Sequence, residues 1–169
     1  MRQRRSDIEL LNASRHVRYD VIQLDECIRR LALLRLWESD VLLYNSLLTA
    51  FSIYARSVYL FLYAANPRKD DIVADDYFDD AQTWLSLRPV ATPLLLEMKA
   101  QADKLSAHLS YMRLGQPYEW MWIDIHTDMR NVLRQFVSLV PSHRLDYRLR
   151  TFESYWNWTD NLPNMINVK

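Results

Sequence analysis

The chain has 169 residues, enough for one domain with a sizeable core. Its single glycine leaves neither a phosphate-cradling loop nor a dinucleotide-binding turn, and it argues against glycine-rich all-β folds. Lys plus Arg equals Asp plus Glu at 21 each, so no global field points to nucleic acid or membrane, and the lone Cys27 excludes an internal disulfide and a multi-cysteine zinc site.

In chain order, residues 1–13 are basic but lack the apolar core of a signal peptide, and are expected as a peripheral arm of a cytoplasmic protein. Val17, Val21, Leu24, Ile28 and Leu31 step by four and three, which predicts a first helix over 14–37. Ser39 or Asp40 is then placed to cap a second helix running to about Ala65, because Pro67 disfavours helix just before it. This second helix is apolar on most of its surface, as a central bundle helix is. It is also long enough to span a bilayer. Asn45, Ser46, Thr49, Ser52, Arg56 and Ser57 interrupt it, and an arginine near mid-span costs about 2.5–3.5 kcal/mol, so no membrane role is expected.

Within that helix Asn45, Thr49, Ser52 and Arg56 fall on one line and are placed to hydrogen-bond together. A buried guanidinium needs counter-charges. The loop beyond Pro67 holds three Asp-Asp pairs, and Asp70, Asp71, Asp75 and Asp76 are the expected partners of Arg56 in a structural polar cluster. The alternative is a ligand-binding or catalytic arginine. Residues 66–91 are expected as loop with one or two short helices, since Asp and Asn favour turns and helix starts.

Thr92 and Pro93 open a further helix that Gly115 ends. His108 lies on its apolar face, with Arg113 just over a turn later. An imidazole there is either a hydrogen-bonded core group or a general base. A fourth helix spans about 118–139, with Trp122, Ile125, Met129, Val132 or Leu133, and Phe136 inward. A fifth starts at Ser142 and carries Leu145, Leu149 and Phe152 inward, and residues 159–169 read as a tail. Arg144 and Arg148, with Trp156 and Trp158, are candidates for a protein interface or a single-stranded RNA contact. No His-x-x-x-His, Cys-x-x-Cys or calcium-loop spacing occurs, so neither a metal nor a cofactor is expected. The fold expected is all-α, a single-domain bundle of five main helices with an irregular aspartate-rich connection after the second.

The order "AFSIYARSVYLFLY", "KDDIVADDYFDDAQTW", "KLSAHLSYMR" resembles a group of small bacterial all-helical proteins, over roughly residues 40–140. Its helical pattern is similar to the wider HEPN class, a likeness of fold alone. The resemblance implies RNases, or partners of nucleotidyltransferases, in toxin–antitoxin and phage-defence systems, with sites formed where two subunits meet. The RNase hallmark of that class is arginine, four to six residues, then histidine. No arginine stands at that distance before His16, His108, His126 or His143, so cleavage by that route is not implied. The expectation is a non-catalytic interaction module that forms a homodimer or binds a protein partner. The rivals are a divergent RNase using Arg56 or Arg113 with His108, and an RNA-binding module.

Overall fold

Ser6 and Glu9 start the first helix. The Ser6 hydroxyl accepts the Glu9 N–H at 3.3 Å, and the Glu9 carboxylate accepts the Ser6 N–H at 2.8 Å. This reciprocal capping box satisfies two helix-terminal donors. In the computed structural model, which describes residues 4–34, 36–80, 82–107 and 119–157, α1 therefore runs Asp7–Leu33. From Asp7 on, the expected arm is corrected: Leu10 continues the buried stripe backward at helical spacing from Ser14 and Val17, and all three are buried.

After Leu34, whose backbone is extended, a short turn α2 (Leu36–Ser39) leads to Asp40. Asp40 accepts the Leu43 N–H at 2.9 Å and caps α3 (Val41–Tyr63). Phe51, Ala55, Val58, Phe61 and Leu62 are buried in its C-terminal part, while Val41, Leu42 and Leu43 at its start are exposed. Among the described residues α3 is the one helix long and apolar enough to cross a membrane. Here it packs against both α1 and α5.

The aspartate-rich connection does what turn chemistry asks of it. Asp71 accepts the Arg68 N–H at 2.7 Å, Asp75 and Asp76 lie in a 3₁₀ turn (Ala74–Tyr77), and Asp80 accepts the Gln82 N–H at the start of α4 (Gln82–Leu87). Thr92 caps α5 (Pro93–Ala107) by accepting the Leu95 N–H. The buried face of α5 is Leu95, Met98 and Ala102, with Leu94 and Gln101 half-buried beside it. α6 (Trp122–Leu139) buries Ile125, Met129, Val132, Leu133 and Phe136 as expected, with Trp122 half-buried.

The fifth helix expected from Ser142 is instead three short pieces: a 3₁₀ turn (Ser142–Arg144), α7 (Tyr147–Arg150) and α8 (Glu153–Trp156). Leu145 is extended, and Asp146 restarts the helix by accepting the Arg148 N–H. Leu145, Leu149, Phe152 and Trp156 nevertheless all point into the core. The described residues thus form an all-α bundle of four long helices, α1, α3, α5 and α6, linked and flanked by short elements.

An aromatic hub joins the layers. The Phe136 ring meets Phe61, Tyr77, Phe78 and Trp84 edge-on at centroid distances of 5.0, 5.5, 6.2 and 5.5 Å. Such edge-to-face pairs each add about 0.5–1.5 kcal/mol to simple burial. Trp84 also donates its indole N–H to the Leu62 carbonyl at 2.8 Å, so the loop after α3 is held back onto α3.

Candidate functional site

A groove of about 590 Å³ runs between α1, α3 and the segment after α3. His16, Val17 and Asp20 face it from α1, and Ile53, Arg56, Ser57 and Leu60 from α3. Asn66 to Val73 forms the third wall, with Asp70 and Asp71 on it. The floor is apolar because the buried stripes of α1 and α3 meet there, through Val17, Val58 and Phe61. The Ser57 hydroxyl donates to the Asp20 carboxylate and ties the two helices together beside the opening. His16 precedes Asp20 by four residues and so shares its helix face.

Arg56 is at this groove, but its counter-charge is not the aspartate loop. Its Nε donates to Asp103 Oδ1 at 2.7 Å, and Asp103 also receives the Lys99 ammonium from one turn earlier on α5. Partial burial opposes ionisation of Asp103, yet the hydrogen bonds from Lys99 and Arg56 prevail and hold its carboxyl below the ordinary value. The reason for the correction is helix order. α5 lies directly against α3, and the Arg56 side chain, 51% exposed, reaches across to it without being buried.

The polar line along α3 does not form a mutual network either. Thr49 donates to the Asn45 carbonyl at 2.9 Å and Ser52 to the Leu48 carbonyl at 2.8 Å. Hydroxyls in a helix commonly bond the carbonyl one turn back. Asn45 is exposed, while Ser52 is buried on the core side. His108, Arg113 and Trp158 lie outside the described residues.

The late basic residues divide. Arg144, expected at a surface, is 7% exposed. Its guanidinium donates to Asp7 and Asp79 at 2.7 Å each and to the Tyr77 carbonyl at 3.0 Å. Those hydrogen bonds hold the Asp7 and Asp79 carboxyls below their ordinary value and raise the pKa of Arg144. Arg148 is exposed instead, its Nε donating to the Tyr147 hydroxyl at 2.8 Å. The turn at Leu145–Asp146 sends the two arginines to different environments, so they do not share a face. Trp156 is fully buried, which removes it from any surface contact.

One buried polar group escaped the sequence reading. His126 is fully buried, with Nε2 at 2.9 Å from Asp25 Oδ1 and its ring stacked on Trp156 at 4.7 Å. The signal was present: His126 adjoins Ile125 and precedes Met129 by three on the buried stripe of α6, and Asp25 adjoins Leu24 on that of α1. A polar pair on facing apolar stripes ties α1 to α6. Among the described residues no group of three or more His, Cys, Asp or Glu side chains is arranged to hold a metal ion.

A second surface feature is apolar. Where α1 ends and α3 begins, Leu33, Leu34, Val41, Leu42 and Leu43 are all exposed, Leu42 to 79%. All five fall within eleven residues of sequence, on either side of the single-turn α2 that joins the two helices. No family model matches the chain, and no curated protein or solved structure matches it significantly.

Proposed function

We propose that this chain is a non-catalytic protein-interaction module that pairs with a second copy of itself through the corner between α1 and α3. The observation that carries this reading is the set of five large aliphatic side chains left exposed within eleven residues of sequence, Leu33 to Leu43. Clustered apolar exposure of this kind marks contact surfaces. Burying it removes apolar area from water at about 25 cal/mol per Å². The equal count of acidic and basic side chains leaves no net charge to hold two copies apart.

The test is mass in solution. Light scattering coupled to size-exclusion chromatography should give twice the 20.3 kDa chain mass for the native sequence. Leu42→Glu, at the most exposed position of the corner, should return the mass of one chain with an unchanged helical circular dichroism spectrum. A native protein that stays monomeric at high concentration, or a Leu42→Glu protein that still pairs, overturns the reading.

A further inference from the structure

Arg56 meets Asp103, and Arg144 meets Asp7 and Asp79, at hydrogen-bond length. A pair of arginines on α1 is held differently. Arg15 and Arg18 lie three residues apart and so place like charges side by side on the helix. Both approach the Asp146 carboxylate, which caps α7, with Nε at 3.7 Å from Oδ2 and Oδ1 respectively. That is too long for a hydrogen bond. Among the described residues neither guanidinium makes one, and the Arg18 Nε is shielded from solvent without an acceptor. A desolvated donor without an acceptor is costly, which sets Arg18 apart from a freely solvated arginine. Asp146 is fixed where it stands: its N–H donates to the Ser14 hydroxyl at 2.7 Å, and Oδ1 accepts the Arg148 N–H at 3.0 Å.

Arg150 follows one turn later, its N–H on the Asp146 carbonyl at 3.2 Å, so its side chain leaves the same side of α7. It is exposed and meets no carboxylate among the described residues. Three guanidiniums thus stand around one carboxylate, and two positive charges are left over. Tyr147, 57% exposed, gives the patch an apolar edge. We propose that this patch docks a phosphorylated serine or threonine side chain of a protein partner. A phosphate monoester carries about −1.5 to −2 charge near pH 7, which matches the two left over, and its oxygens suit guanidinium donors. A carboxylate, or one phosphodiester of a nucleic acid, matches only half of that charge. The zero net charge of the chain also supplies no extended field for a nucleic acid. The patch is separate from the pairing corner, since Arg18 stands fifteen residues before Leu33, about 22 Å along α1.

The experiment titrates the full chain, followed by NMR, with the peptide acetyl-Gly-Ala-phosphoSer-Ala-Gly-amide and with the same peptide carrying Ser or Glu at the centre. The phosphopeptide should give saturable shifts centred on 14–19 and 146–151. The Ser peptide should give none, and the Glu peptide should bind more weakly. Arg15→Gln and Arg18→Gln should each weaken the phosphopeptide about two- to fivefold, as expected for partly exposed charge pairs. Asp146→Asn keeps an acceptor for the cap and removes the central repulsion, so it should tighten binding by a similar factor. Tyr147→Ala should weaken the phosphopeptide but not inorganic phosphate. No saturable shift, equal binding of the Glu peptide, or unchanged affinity in both arginine variants overturns the proposal. So does inorganic phosphate or a ten-residue oligodeoxythymidine that binds as tightly as the phosphopeptide.

Discussion

Phe136 is the residue on which the packing argument can be tested most sharply. It is fully buried and meets four rings edge-on. Phe136→Leu keeps an apolar side chain of similar bulk but removes all four ring contacts. If the site needs only filling, such a swap should cost less than about 1.5 kcal/mol. If the edge-to-face geometry matters, four contacts at the low end of about 0.5 kcal/mol each give about 2 kcal/mol. The larger value is expected here, with Phe136→Ala costing about 3–5 kcal/mol. For a chain of this length about 2 kcal/mol lowers the melting temperature by about 4–8 °C. Urea unfolding followed by tryptophan fluorescence reads the same loss, because Trp84 is buried 5.5 Å from the Phe136 ring. Hydrogen exchange should also quicken across 66–80, since Tyr77 and Phe78 anchor that segment through this ring. A Phe136→Leu protein within about 0.5 kcal/mol of native, at an unchanged denaturant slope, would refute the claim that ring geometry rather than bulk holds the hub.

Two further measurements probe the buried chemistry. Burial, reinforced by the neighbouring Glu26 charge, pushes the Cys27 thiol up to about 11, so the folded protein should react with a thiol reagent at pH 8 at least about a hundredfold more slowly than a free cysteine. Rapid labelling without denaturant would show that α1 opens far more often than its packing implies. Asp7 and Asp79 have folded-state pKa values below the ordinary 3.8, so the stability they contribute through Arg144 is fully present above that value and is lost as pH falls through the lowered folded values. Asp7→Asn with Asp79→Asn should therefore be less stable than native at pH 7 and should converge with it in acid; a constant difference in urea midpoint across the acid range would contradict the assignment.

Much of the bundle was legible because helical spacing and caps are local signals. Val17 to Leu31, the Asp40 and Thr92 caps, and Ile125 to Phe136 could be read from residues within a few turns of one another. The start of α1 was legible too, in Ser6 and Glu9, but the basic residues around them drew the reading toward an arm. The candidate site was less legible because it depends on which helices become neighbours. Nothing near Arg56 in sequence indicates that Asp103, 47 residues later, lies beside it, while Asp71, much closer in the chain, accepts the Arg68 N–H in its own turn. Arg144 shows the same limit. Its spacing from Arg148 suggests a shared face only if the helix is continuous, and Asp146 breaks it.

The Arg144 clasp has a consequence for how the chain is made. Its carboxylates lie 137 and 65 residues before the arginine. As synthesis proceeds, α1 and the aspartate loop emerge long before their common partner does, so Asp7 waits for Arg144 through the synthesis of the intervening residues. Contacts of such sequence separation are slow to close. A clasp of such separation is expected to close late, after the local turns of α1 and α3 have formed. A bond made after the rate-limiting step governs how long the folded molecule lasts more than how fast it forms.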